Sequence, residues 1–229
     1  FDHIFSIFEV ERKFYKKEKY SYVGHPLLNN IVLDNRDKYP IKNIGIFLGS
    51  RYQEIIFNIP IITQLLKNLE KLNNFNFYFF ITKEFECLIK KSFTDEKYQF
   101  YLNNHEYYDH LSKLDFAFAC SGTVHLELCF SNIPHIIFYK ANIINYFIFK
   151  FFVRSEYLSL VNIFNKKEIV KEFIQNDFTV TNLSNFFTNL KLNKDKLYNY
   201  RKNMFDGIKS SNFENFRSSI ITDYLEKFS

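Results

Sequence analysis

Short apolar runs alternate along this chain with stretches in which apolar residues recur at helical spacing. The runs predict strands at residues 3–8, 20–24, 43–48, 76–81, 115–120 and 135–139, with a weak one near 98–102. The helical stretches fall at 52–72, 83–92, 106–113, 123–131, 142–153, 166–175 and 182–190, followed by two C-terminal ones near 194–209 and 212–228. Strands that alternate with helices predict an α/β fold, a parallel sheet covered by helices on both faces.

In such sheets ligands collect at the carboxyl ends of the strands. Two loops with suitable chemistry sit at predicted strand ends. After Phe116-Ala117-Phe118-Ala119 comes Cys120-Ser121-Gly122-Thr123, which opens a predicted helix. A small-residue turn feeding a helix start offers free backbone N–H groups and the positive end of the helix dipole, which favour a phosphate or diphosphate. Ser-Gly-Thr is also an ordinary turn and cap. Glu127 lies about one turn into that helix, where a carboxylate could reach a sugar hydroxyl. The other loop, after Leu48, is Gly49-Ser50-Arg51-Tyr52-Gln53-Glu54. Gly49 allows a tight turn, Ser50 can cap, and Arg51 can fork onto a phosphate. Glu54 stands at capping-box distance from Ser50 or Arg51.

Composition narrows the classes. The chain has 229 residues, 47% hydrophobic and 24% charged, which is globular and long enough for one large α/β domain plus an appendage. The bias towards Phe, Tyr, Ile, Asn and Lys is that of an AT-rich genome, so the 30 Phe are read as core filling, not as a base-stacking surface. A net charge of +5 is mild, and no basic stripe of a DNA reader is present. Lys13, Lys16, Lys17 and Lys19 form the densest basic cluster, a solvated face or a contact for phosphate or anionic headgroups.

Several chemistries are excluded. Neither a Walker A lysine nor a G-x-G-x-x-G turn occurs, which disfavours a nucleoside triphosphatase or a dinucleotide oxidoreductase. Cys87, Cys120 and Cys129 are odd in number and lack C-x-x-C spacing, so neither disulfides nor a structural zinc site is indicated, and a reducing cytoplasm fits. His105 and His110 resemble H-E-x-x-H with one residue too many, and at i, i+5 on a helix they diverge. The first residues show no signal-peptide pattern, and no segment is apolar for the ~20 residues a bilayer span requires. Residues 143–153 come closest, and read either as a buried helix or as one resting on a membrane surface.

At this point the motifs resemble a family, the lipid-A-disaccharide synthases, over their carboxyl-terminal half. Asp2-His3-Ile4 with Phe8 and Phe14-Tyr15 is similar to the segment that ends the family's amino-terminal half. Val23-Gly24-His25-Pro26-Leu27 is similar to its G-H-P junction, and Gly49-Ser50-Arg51 with Glu54 to P-G-S-R-x-x-E. Ser121-Gly122-Thr123 with Leu126-Glu127 resembles S-G-T-x-x-L-E, followed by Tyr139-Lys140 after the next strand. Tyr157-Leu158-Ser159-Leu160-Val161-Asn162-Ile163 resembles Y-x-S-L-P-N-I, and Val170-Lys171-Glu172 with Gln175 the next helix. Leu48 and Val161 stand where the family has Pro, and Glu9-Val10 replaces Pro-Phe, which bears on loop geometry more than on chemistry.

The resemblance implies a Rossmann-like sheet forming the donor-nucleotide half of a GT-B type glycosyltransferase. Residues 1–24 are expected to be a remnant of the amino-terminal acceptor domain, 25–200 the UDP-sugar-binding domain, and 201–229 a terminal helix returning towards the amino-terminal half. The implied reaction joins UDP-2,3-diacylglucosamine to 2,3-diacylglucosamine 1-phosphate (lipid X), with inversion, giving a β-1,6-linked disaccharide and UDP. The implied substrate-binding residues are Gly49, Ser50, Arg51, Ser121, Gly122, Thr123, Glu127, Asn162 and His25, with Asn162 on a polar edge of the donor. His25 would approach the diphosphate or be a buried junction histidine. The catalytic base is expected in the family's amino-terminal half, which has no counterpart here beyond its last strands; the chain begins without Met, so a fragment or a decaying gene product is expected.

No cofactor and no metal are implied. The expected partners are the two lipid substrates and the inner-membrane surface, with a homodimer as an option and no nucleic acid. The expected location is cytoplasmic, peripheral on the inner membrane. Two alternatives remain: a nucleotide-sugar binding module inactive on its own, and another UDP-N-acetylglucosamine-dependent glycosyltransferase or epimerase.

Overall fold

The computed structural model describes residues 2–30, 39–102, 106–140, 156–211 and 217–226. Two short strands, β1 (Ile4–Ser6) and β2 (Tyr20–Tyr22), pair in parallel near the start. The main sheet contains β3 (Asn43–Phe47), β4 (Asn76–Ile81), β5 (Tyr98–Leu102), β6 (Phe116–Cys120), β7 (His135–Tyr139) and β8 (Glu172–Ile174). Its strands are all parallel, in the order β5-β4-β3-β6-β7-β8.

Alternation along the strands builds two cores. Ile44, Ile46, Phe77, Phe79, Phe116, Phe118, Ile136 and Phe138 point to one face, under helices α1 (Tyr52–Glu70) and, further along the chain, Val180–Lys191. Helix α1 buries Ile55, Ile62, Leu65, Leu66 and Leu69 on one stripe, each contributing about 1.5–3 kcal/mol by leaving water. On the other face Phe47, Tyr78, Phe80, Ala117 and Ala119 meet Leu111 and Leu114, in and just after α3 (Tyr107–Ser112), and Leu128 of α4 (Val124–Phe130), whereas α2 (Glu86–Ser92) buries Ile89 in the first core. The small Ala117 and Ala119 let that layer approach the sheet closely. A third cluster joins Leu126, Cys129 and Phe130 to Val161, Met204 and Ile208, tying α4 to α5 (Leu160–Asn165) and the long helix Lys194–Ser210. Val180–Lys191, Lys194–Ser210 and Ser219–Leu225 are α6, α7 and α8.

One segment departs from expectation. The helix predicted over 166–175 is a turn, the edge strand β8 and a 3₁₀ turn at Gln175–Asp177, while α5 forms just before it. Ile169, Val170, Phe173 and Ile174 do recur at helical spacing. Lys166, however, takes a left-handed backbone (φ 51°) that ends α5, and the chain then pairs with β7, Ile137 N–H donating to the Lys171 carbonyl at 2.9 Å. Ladder pairing and burial override the local period. The helix expected at 142–153, the residue His105 and residues 212–216 and 227–228 of the last expected helix lie outside the described residues.

Near the amino terminus Tyr224 of α8 rests on His3 and Phe5, with ring centroids 4.2 and 5.4 Å apart, and Arg217 N–H donates to the Val23 carbonyl at 2.7 Å. Lys13, Lys16, Lys17 and Lys19 are all exposed there. Among the described residues no helix is long and apolar enough to cross a membrane.

Candidate functional site

The sheet order fixes where a ligand fits. From β3 the chain moves outward to β4 and β5, and from β6 it moves the other way to β7 and β8. The loops leaving β3 and β6 therefore diverge and open a crevice at their carboxyl ends. A cavity of about 150 Å³ lies in that crevice, with Gly49, Ser50, Ser121, Gly122, Thr123 and Glu127 among its walls, joined by Thr82 and Tyr107. The two loops singled out in the sequence thus meet in one site.

The β3 loop is held from below. Buried Asn58 of α1 donates to the Leu48 carbonyl at 2.9 Å. Gly49 has φ +106°, and a Cβ there would lie 2.7 Å from Glu54 Oε2 and 3.2 Å from Cys120 Sγ. Only glycine fits this turn without strain. The Glu54 carboxylate accepts the Ser50 N–H at 3.3 Å and pairs with Arg51 at 2.9 Å, so it reaches back over the helix start. The Arg51 side chain is 79% exposed and lies off the cavity walls, held by Glu54. To fork onto a phosphate it must exchange that partner.

On the β6 side Ser121 N–H belongs to the sheet, donating to the Phe138 carbonyl at 2.9 Å. The N–H groups of Gly122 and Thr123 meet no acceptor among the described residues. A Cβ on Gly122 would touch nothing within 4 Å. No neighbour among the described residues demands a glycine there, and the space beside it is open to a ligand.

Half-buried Glu127 accepts a 2.5 Å hydrogen bond from the Tyr107 hydroxyl. Burial raises the Glu127 carboxyl above its ordinary range, with the Tyr107 bond working partly against it. Burial, and then the adjacent Glu127 carboxylate, push the Tyr107 phenol up as well. Cys120 beneath the loops is pushed up to about 12 by burial, so its thiol stays protonated.

Two expected donor contacts are not in this site. Asn162 is fully buried, and each of its polar atoms is engaged. Its amide nitrogen donates to the Val170 carbonyl and to Glu172 Oε1, both at 2.7 Å, and its oxygen accepts the N–H groups of Ile169 (2.8 Å) and Val170 (2.9 Å). It clamps the segment from α5 to β8 and presents no edge to a donor. The same Glu172 carboxylate accepts from Leu158 N–H and Ser159 N–H, both at 2.8 Å, so the two motifs around Asn162 and Glu172 form one structural unit. His25 is also buried, off the cavity walls, with Nδ1 accepting the Leu27 N–H at 3.3 Å and its ring against Phe8 and Phe130. Burial lowers its pKa.

Tyr107 and Thr82 were not foreseen. Thr82 Oγ1 is buried and meets no partner among the described residues. Both line the cavity from elements remote in sequence, and nothing local marked them. The described residues also gather one set of metal-capable side chains, His125, Cys129 and His135, off the cavity walls.

A profile of the family described as lipid-A-disaccharide synthetase matches residues 1–221. The lipid-A-disaccharide synthase of Rickettsia conorii is 30% identical over 210 residues, covering 86% of this chain and 47% of that protein. Those of Aquifex aeolicus (32% over 183 residues, 76% and 50%) and Campylobacter jejuni (33% over 202 residues, 80% and 51%) are similar. The chain spans about half the length of the curated relatives it matches. Among solved structures, MurG of Acinetobacter baumannii has a TM-score of 0.59 at 13% identity, covering 97% of this chain and 59% of that one. A spinosyn rhamnosyltransferase complexed with thymidine diphosphate has 0.55 at 9%, covering 82% and 46%. These likenesses establish the fold, a Rossmann-like parallel sheet of the GT-B glycosyltransferase type.

Proposed function

The chain belongs to the lipid-A-disaccharide synthetase family, and we propose that it is the donor-binding half of a glycosyltransferase of lipid A biosynthesis. The donor is UDP-2,3-diacylglucosamine, and the 6-hydroxyl of 2,3-diacylglucosamine 1-phosphate attacks its anomeric carbon from the opposite face. Inversion gives the β-1,6 disaccharide and releases UDP. The observation that carries this reading is the cleft at the switch point, where the Gly49-Ser50 and Ser121-Gly122-Thr123 turns face one another.

The chemical demand is to stabilise charge that grows on the departing diphosphate. The N–H groups of Gly122 and Thr123 are donors without an acceptor among the described residues, and Ser50, Ser121 and Thr123 line the same cavity. Arg51 reaches the diphosphate by leaving Glu54, trading an exposed ion pair worth little for a forked charge-assisted bond. Glu127, steadied by Tyr107, accepts a hydroxyl of the donor. Residues 1–24 with α8 form the edge of the acceptor half, and the base that activates the acceptor lies outside this chain. The enzyme works at the cytoplasmic surface of the inner membrane.

The half-length match also favours a second reading, a nucleotide-sugar binding module that does not turn over alone. Calorimetric titration with UDP, followed by an assay of disaccharide formation, separates the two. Binding with turnover makes the chain sufficient as an enzyme; binding without turnover leaves the module. Absence of UDP binding overturns both.

A further inference from the structure

Helix α4 and the start of β7 bring three buried side chains together, off the cleft. His125 and Cys129, one turn apart on α4, share a face, and His135 at the start of β7 meets them. All three are buried, at 3%, 0% and 0% exposure. His125 Nδ1 and His135 Nε2 stand 3.4 Å apart, and Cys129 Sγ lies 3.6 Å from the first and 3.9 Å from the second. The nitrogen pair is wider than the roughly 2.7–3.2 Å of a good N–H hydrogen bond.

The outer nitrogens are already held. His135 Nδ1 is 2.8 Å from the Ile133 carbonyl, and His125 Nε2 is 3.2 Å from Ser159 Oγ. A backbone carbonyl and a hydroxyl behind two imidazoles are the outer supports that aim metal-binding rings and set their tautomers. An ion at ordinary metal–nitrogen and metal–sulfur lengths from the three inner atoms would subtend angles of about 112°, 112° and 127°. These total about 350°, close to a flat trigonal arrangement and wider than a tetrahedral one.

We propose that His125 Nδ1, Cys129 Sγ and His135 Nε2 form a buried trigonal site for a soft monovalent metal ion, Cu(I). Charge favours this ion. One thiolate and two neutral imidazoles neutralise Cu(I), whereas Zn(II) would leave a net positive charge among buried side chains, with three candidate ligands among the described residues where it favours four. Soft thiolate with imidazole is a copper ligand set. Burial, with the two rings acting on each other, holds His125 well below its usual pKa, and burial holds His135 down at about 4, so both rings are neutral and able to ligate. Burial keeps the Cys129 thiol protonated without an ion. Binding therefore releases the thiol proton to solvent and leaves each imidazole with its proton on the outer nitrogen. The ion would join α4 to β7 and, through Ser159, to the cap of α5, bracing the wall that carries Gly122, Thr123 and Glu127.

The test is to refold the full chain under reductant with Cu(I) or Zn(II), and to measure retained metal against a chromophoric Cu(I) chelator. Wild type should hold one equivalent of Cu(I), melt at higher temperature with it, and give an X-ray absorption spectrum with two nitrogen ligands and one sulfur. Cys129→Ser should lose the bound ion and the thermal shift. Ser159→Ala, which spares the ligands, should bind about 10- to 100-fold more weakly. Retention of Zn(II) but not Cu(I) overturns the copper assignment, and retention of neither overturns the site. Equal Cu(I) retention by folded Cys129→Ser and wild type also overturns it.

Discussion

Tyr107 donates a 2.5 Å hydrogen bond to Glu127 inside the cleft, joining a short helix of one half of the sheet to the helix that opens the other half. The bond spans the switch point, so it holds the two cleft walls together as well as aiming the carboxylate. It also sets up opposite demands on Glu127 from stability and from binding.

Those demands make Glu127→Gln informative. The folded Glu127 carboxyl titrates above its ordinary value, mainly through burial. A raised carboxyl contributes stability that is present below the unfolded pKa and is lost as pH rises through the folded one. Gln mimics the protonated form. The variant should therefore be the more stable of the two at alkaline pH, with the gap closing as pH falls, in paired denaturant titrations. Donor binding should weaken by about 10- to 100-fold, the worth of one charge-assisted bond. Unchanged affinity would remove Glu127 from the donor site.

Arg51→Ala tests the diphosphate assignment. Its exposed ion pair with Glu54 contributes little to the fold, so the melting temperature should hardly move. UDP affinity should fall by roughly 1.5–3 kcal/mol if the guanidinium forks onto phosphate. Calorimetry with UDP and uridine gives a sharper reading, because only UDP should be affected.

Two glycines should respond differently. Gly49→Ala places a Cβ against Glu54 and Cys120 at positive φ, and should cost stability by more than ~1 kcal/mol. Gly122→Ala meets no atom of the described residues and should leave the melt unchanged. Its methyl group enters the cleft, so UDP binding should weaken. A Gly122→Ala protein that binds UDP as wild type does would mean the diphosphate lies elsewhere.

Asn162→Ala should behave as a structural variant. It strips partners from two backbone N–H groups, one carbonyl and the Glu172 carboxylate. Leaving several buried polar groups unmade should cost about 3 kcal/mol or more. At a temperature where the protein stays folded, UDP affinity should match wild type. A selective loss of affinity with an unchanged melt would return Asn162 to the donor site.

Much of this was legible in the order of residues. Apolar runs marked β3, β4, β6 and β7, and Gly49-Ser50 and Ser121-Gly122-Thr123 marked the turns after two of them, because local chemistry dictates both. The parallel sheet followed from their alternation with helices. Residues 166–174 misled, since helical spacing there records packing on two different clusters, Ile169 against α5 and α7 and Phe173 against the main core. Asn162 misled in another way: a polar residue in a motif looks like a ligand contact until its four partners are seen.

Composition and spacing thus settled the type of most described elements, 166–175 excepted, and the two loops, because these depend on contacts a few residues apart. Which strands are neighbours depends on contacts between residues dozens apart, and only that arrangement brings Tyr107 to Glu127 and commits Ser121 N–H to the sheet. The cluster of His125, Cys129 and His135 has the same origin. The helix aligns the first two, but burial and the register of β7 against β6 bring in the third.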